Sequence, residues 1–424
     1  MQDSSSVLRF AGDVQLEKVI LRSLNGQTAN VAAQVISIEV YEDIFSPFMS
    51  VSMVLRESVD YINMFPFIGE EYLDLSIKTP STKRGIEGKF YIYKITDRSY
   101  TKDREVIYTI KAISEEWLLD ANRKLSQTFK GNIGELVEPF LQKTGINTSK
   151  AYFVEKTSNK TAFTAAYWTP IKCLTFLATN AVSESKSPTF LFYENRNGFN
   201  FRSIDELLKA NSYQKFIKDN FSRDTDSEAS MSASKDPEQD YKRIISLEIP
   251  TLTDYMEDIQ TGRLKSRIIS HDIVTKQYIV KDYNVKKDET PATLLNKSPG
   301  YTKYATSNSV STTIVMNKHY GNYSGFSDVT NFSTVQKRMS FFQNLQKYKV
   351  TIEVLGRTDY TVGQVVELSI PRATQIAKDK SDPTDMILSG KYLVSAIAHF
   401  ITKENHTCSM ELIKNSIMLD TEKA

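Results

Sequence analysis

The sequence predicts a mainly β protein with an α+β middle domain, built from two homologous antiparallel β units of which the second is interrupted by an insertion. Three observations carry this. The chain repeats itself: Val35-Ile36-Ser37-Ile38-Glu39-Val40 returns as Ile244-Ile245-Ser246-Leu247-Glu248-Ile249. Tyr72-Leu73-Asp74-Leu75-Ser76-Ile77 returns as Val365-Val366-Glu367-Leu368-Ser369-Ile370, and Gly88-Lys89-Phe90 as Gly390-Lys391-Tyr392. Matches in one order mark a duplication. The repeats also alternate: Ile36, Ile38 and Val40 share one face and Ser37 and Glu39 the other, as Ile245, Leu247 and Ile249 oppose Ser246 and Glu248. One buried and one wet face is the pattern of antiparallel sheets. Between the repeats the period changes to that of helices.

In chain order, the first unit covers 1–118. Read without a gap, the match from Gly88 and Gly390 runs to Ser114 and Ser416 and sets Val106, Tyr108 and Ile110 against Cys408, Met410 and Leu412. The middle domain covers 119–243. Asn132 caps a helix with Ile133, Leu136, Val137, Phe140 and Leu141 on one face and Pro139 as a kink. Thr169-Pro170 opens a second helix with Ile171, Leu174, Leu177 and Ala178 inward. Phe190 to Glu194 and Gly198 to Arg202 flank Asn195-Arg196-Asn197 as a hairpin. The acidic, serine-rich stretch 222–240 is expected to be a disordered linker. The second unit takes 244–286 as its first half and 348–424 as its second half with a C-terminal tail. The insertion 287–347 returns to the middle domain and ends in a helix over 334–347 with Val335, Met339, Phe342 and Leu345 inward.

Composition excludes several classes. Lys and Arg number 53 against 51 Asp and Glu, so no global field suggests a nucleic-acid or membrane-surface binder. No apolar run reaches the length of a membrane span, and the first residues lack the pattern of a signal peptide. The two cysteines, Cys173 and Cys408, are too few for a disulfide scaffold. Tyr and Phe, 22 of each, exceed what a minimal core needs, and Tyr is favoured in interfaces.

Catalytic chemistry finds little support. No phosphate-cradling glycine loop, zinc-spaced cluster or nucleophile elbow occurs. His271 and His399 fall in strands and His406 in a hairpin turn, all read as structural, as is His319. Cys173 reads as a helix-packing residue and Cys408 as core. Glu70-Glu71 and Glu115-Glu116 would be needed as facing carboxylates in a glycosidase, but neighbours in a strand point apart. The expectation is no enzyme, no cofactor and no metal. The turn after the first repeat, with Tyr41, Glu42, Asp43, Phe45 and Phe48, gathers acidic and aromatic groups at a strand end and is the candidate interface.

The order of these motifs resembles a known family. Ile36 to Pro47, a second strand, then Met64-Phe65-Pro66-Phe67-Ile68-Gly69-Glu70-Glu71 is similar to the first barrel of the central baseplate hub proteins of contractile-tailed, T4-like bacteriophages. Tyr167-Trp168-Thr169-Pro170 with the following hairpin resembles that family's intervening domain, and Lys349 to Ile370 with Gly390 to Ile413 its closing half-barrel. The resemblance implies that both β units are tube-like barrels. It implies a homotrimer forming a pseudo-sixfold ring between tail tube and central spike, with baseplate wedge proteins as further contacts. DNA would pass through its channel without sequence-specific binding, and no membrane is involved. It also implies a place in the tail baseplate of the virion, after assembly in the host cytoplasm. A tail-associated cell-wall hydrolase and a carbohydrate- or receptor-binding β protein are the alternatives.

Overall fold

Alternating side chains fold the N-terminal part into β1 (Gln15–Arg22), β2 (Thr28–Asn30), β3 (Val35–Asp43), β4 (Ser50–Glu57), β5 (Tyr72–Lys78), β6 (Ile86–Tyr100) and β7 (Val106–Ser114). The structure, a computed structural model, describes residues 8, 10–64, 69–101, 104–218, 237–250, 254–271, 276–288, 294–300, 312–316, 334–372 and 384–419. The inward set Val19, Leu21, Ile38, Val40, Met53, Leu55, Leu73, Leu75, Ile77, Phe90, Tyr108 and Ile110 forms one core. Each such side chain contributes about 1.5–3 kcal/mol on burial.

The middle domain holds β8 (Leu125–Asn132), β9 (Tyr152–Val154), β10 (Lys160–Trp168), β11 (Phe190–Asn195) and β12 (Gly198–Ser203). They form a β8–β10 ribbon and a three-stranded sheet ordered β11-β12-β9. The expected caps form: Asn132 accepts from Gly134 N, and Thr169 from Lys172 N, at the starts of helices Ile133–Leu141 and Pro170–Asn180. Phe140, Phe163, Leu174, Leu177, Phe190 and Phe201 fill the core between them. At Gly198 φ is +120° and a Cβ would lie 2.0 Å from the Ala151 carbonyl oxygen, so glycine is required where the hairpin meets β9.

The second unit contains β13 (Ser212–Ile217), β14 (Ile244–Glu248), β18 (Val350–Leu355), β19 (Val365–Ser369), β20 (Gly390–Ile401) and β21 (His406–Ile413). Its strand order, β14-β18-β21-β20-β19-β13, repeats the order β3-β4-β7-β6-β5-β1 of the first unit. The register repeats as well. Leu73, Asp74 and Leu75 oppose Phe90, Lys89 and Gly88, as Val366, Glu367 and Leu368 oppose Tyr392, Lys391 and Gly390. The β-bulge between Val35 and Ser37 recurs between Ile244 and Ser246. That bulge turns Ile36 and Ile245 outward, against the expectation that both face the core; they are 42% and 44% exposed.

Pairing also corrects the ungapped alignment. Ile95 opposes Ile110, while its counterpart Ile397 opposes Met410. Tyr108 therefore answers to Cys408 and Val106 to His406, two residues earlier than the sequence match. β6 carries an extra bulge between Thr96 and Ser99 that the second hairpin lacks. A shift of two leaves every side chain on its original face, so the polarity pattern concealed it.

Domain limits move too. β13, expected in the middle domain, joins the second unit by pairing parallel to β19, whereas β1 runs antiparallel to β5. From 244–286 only β14 enters the barrel. β15 (Lys265–His271), β16 (Tyr278–Asn284) and β17 (Thr312–Met316) form a separate sheet over the small core of Leu264, Tyr283 and Val285. The helix Val335–Gln346 buries Leu345 as expected and packs Phe342 half-buried on the core, but its inward face is shifted: Gln336, Ser340, Phe341 and Asn344 are also buried and Met339 is exposed. Its buried polar stripe donates to backbone: Gln336 to Ser266 O, Ser340 to Arg263 O and Asn344 to Asn415 O. Arg338 reaches the middle domain, donating to Pro188 O at 2.8 Å and Phe190 O at 3.0 Å. Residues 219–236, most of the expected linker, lie outside the described residues, and 237–240 form a helical turn. Most of the 298–333 stretch also lies outside them.

Candidate functional site at the junction of the two barrels

β20 splits its length between two neighbours. Gly390 to Leu393 pair with β19, and Ala396 to Ile401 pair antiparallel with β3, from Ala396↔Asp43 to Ile401↔Ile38. Both barrels thus share one 13-stranded sheet. The turn that follows β3 lies where the barrels and the middle domain meet, and its five candidate residues separate.

Glu42 is buried and accepts from Thr361 Oγ1 (2.5 Å) and Val362 N (3.2 Å) of the second barrel and from Arg196 N (3.2 Å) of the middle-domain hairpin. Burial pushes its carboxyl up to about 7, against these hydrogen bonds. Phe48 is buried edge-on to Phe199, with ring centroids 6.4 Å apart, in the middle-domain core. Both were expected to face a partner; both bind parts of the same chain, because the turn is enclosed by the hairpin and by the 358–363 loop. Asp43 accepts from Phe45 N and shapes the turn. Tyr41 and Phe45 remain 37% and 44% exposed, Tyr41 bonded to Glu39 and Phe45 edge-on to Phe342 at 6.1 Å.

A charged triad missed by the sequence reading fastens the first barrel to the middle domain. Lys150 Nζ lies 2.7 Å from Glu116 Oε2 and 2.5 Å from Glu194 Oε1. Glu194 also accepts from Met49 N, and Glu116 from Thr148. Burial opposes the lysine charge, yet Glu194 and Glu116 together hold it above the ordinary amine range. Burial pushes Glu194 up, against Lys150. The lysine's direction governs, since both anions are in direct contact with it. Glu115 turns away toward Tyr91, so Glu115-Glu116 do not face one another.

The junction has a vacant counterpart. β6 corresponds to β20, and beyond Ile92 its edge opposite β7 carries no strand among the described residues. β14 corresponds to β3, and its only ladder among the described residues is to β18. Exposure follows. Val40 is fully buried whereas its equivalent Ile249 is 37% exposed, and Ile397 is buried whereas its equivalent Ile95 is half-buried.

The corrected hairpin register also brings His399, His406 and Cys408 together, three residues the sequence reading kept apart. His399 opposes Cys408 directly and His406 lies diagonally beside them.

Duplicated barrels with one strand order, fused through a common sheet and flanked by an α+β domain, define a two-barrel fold. The chain is similar in structure to a tail protein from Neisseria meningitidis, at 11% identity over 94% of this chain and 96% of that one, with a TM-score of 0.54. It is likewise similar to the 43 kDa tail protein of prophage MuSo2 from Shewanella oneidensis, at 8% identity over 95% and 100% of the two chains, with a TM-score of 0.53. At such identities the likeness shows the fold. No protein-family model matches the sequence, and no curated protein does.

Proposed function

We propose that the chain is the central baseplate hub of a contractile phage tail. Three copies close a ring of six similar barrels that joins the tail tube to the spike and leaves a passage for DNA. The observation that carries this reading is the vacant edge. Inside the chain, the first barrel's β3 caps the second barrel's β20; among the described residues the equivalent edges of β6 and β14 lack that partner. Exposed strand edges are a liability that closure removes. Head-to-tail pairing of β14 with β6 of the next copy repeats the internal junction, and three copies close a ring of six barrels.

The same geometry supports one sheet face as the passage wall. One sheet face is filled by the two barrel cores. The other carries Glu39, Tyr41, Ser50, Ser52, Lys111, Thr351, Ser409 and Glu411, small and mixed-charge groups suited to letting DNA slide. The solved proteins that share the fold are described as tail proteins, which fits a place in the virion tail. Tail tube and spike are the partners this role requires.

Light scattering on the purified chain, alone and with a candidate spike, tests the stoichiometry. A mass near three times 48.3 kDa is expected. A monomer in both samples would overturn the reading.

A further inference from the structure

Three fully buried side chains at the tip of the second barrel's β20–β21 hairpin converge on one point. His399 Nδ1 lies 3.0 Å from His406 Nε2, Cys408 Sγ lies 3.2 Å from His399 Nδ1, and Sγ lies 3.5 Å from His406 Nε2. Hydrogen bonds do not account for this triangle. Three mutual bonds would require every atom both to donate and to accept. A neutral imidazole nitrogen does one or the other, and only the thiol does both. At most two of the three contacts are full hydrogen bonds. His406 Nδ1 and the buried Tyr360 hydroxyl have no hydrogen-bond partner among the described residues. Unmet polar atoms in a fully buried place each cost about 1–3 kcal/mol.

We propose that His399, His406 and Cys408 bind one thiophilic d10 cation, Zn2+ or Cu+, as a structural site. With metal–nitrogen bonds of about 2.0–2.1 Å and a metal–sulfur bond of about 2.3 Å, tetrahedral angles give ligand–ligand separations of about 3.4 and 3.6 Å. The three contacts fall short of those values by a few tenths of an ångström, so small side-chain movements admit the ion. Binding forms one metal–sulfur and two metal–nitrogen bonds and releases the thiol proton. All three contacts are then satisfied together. The imidazoles ligate in their neutral form and the cysteine as its thiolate.

The fold makes room for the set. A Cβ on Gly356 would lie 2.3–2.6 Å from three atoms of the His406 ring, so glycine is what lets that ring occupy its place. The first barrel carries Val106 and Tyr108 at the positions of His406 and Cys408, with Tyr108 bonded instead to Glu57. The site thus belongs to one copy of the duplication and sits beside the β20–β3 seam. An ion there pins the hairpin that the first barrel pairs with. Because all three groups are sealed from solvent, the ion enters as the barrel folds.

Elemental analysis of the untagged full chain, expressed separately in zinc- and copper-supplemented media, reads the site. The expected result is about one ion per chain from one of the two cultures, lost in Cys408→Ser and kept in Cys173→Ala. Which culture loads the chain identifies the cation. If Cys408→Ser does not fold, X-ray absorption at the metal edge of the wild-type chain decides, and a first shell of one sulfur and two imidazole nitrogens is expected. Substoichiometric metal in the wild-type chain from both cultures would overturn the proposal. So would full metal retention in Cys408→Ser, or a first shell without sulfur.

Discussion

Ile249→Asp is expected to leave the chain folded and to convert the proposed trimer into monomers. In the single chain Ile249 is 37% exposed, so a carboxylate there stays in water and the fold tolerates it. In the closed ring this position is the counterpart of Val40, which β20 and the barrel core cover completely. A carboxylate buried there without a partner costs several kcal/mol. The proposed ring would have three such contacts, so the effects would compound. The same change at Val40 is expected to unfold the first barrel instead. One substitution in two equivalent places then gives opposite outcomes, assembly lost in one and fold lost in the other, by light scattering and circular dichroism. An Ile249→Asp variant that keeps the wild-type mass would place the contact elsewhere.

Lys150→Met is expected to cost about 3–5 kcal/mol of stability, since it leaves the Glu116 and Glu194 carboxylates buried without their cation. Methionine keeps much of the packing against Phe199, so the loss is chiefly electrostatic. Burial already pushes Glu194 up against Lys150. Without the cation the penalty should be full where that carboxylate is ionised and shrink as pH falls and it becomes protonated. Urea unfolding of wild type and variant across this range measures it. A loss below about 1 kcal/mol, the range of exposed pairs, would mean that the triad does not fasten the first barrel to the middle domain.

What the sequence showed, and what it hid, follows from the kind of information each feature carries. Duplication and strand alternation are local, and they led to the β3/β14, β5/β19 and β6/β20 equivalences. The caps at Asn132 and Thr169 are likewise set within a few residues. Hairpin register is not. A two-residue difference in the length of one hairpin preserves every face, so it left no trace in polarity and hid the meeting of His399, His406 and Cys408. Had His399 been paired with Cys408 across a tight 402–405 turn, the cluster would have been readable. β15 and β16 of the separate sheet were mistaken for barrel strands because a half-buried strand looks alike in either sheet. The inward face of Val335–Gln346 was misjudged because its buried stripe is polar and bonded to distant backbone. Glu42, Lys150, Glu116 and Glu194 are far apart in sequence, and only the junction of barrels and middle domain gives their charges a common place.

Electron-microscopic end views of the purified chain with its spike test the central claim most directly. The account predicts a ring of three chains with six similar lobes around an open centre, alternate lobes joined by the internal β3–β20 seam and by its β14–β6 equivalent. A three-lobed particle whose second barrels stand outside the ring, or one without a central opening, would contradict it.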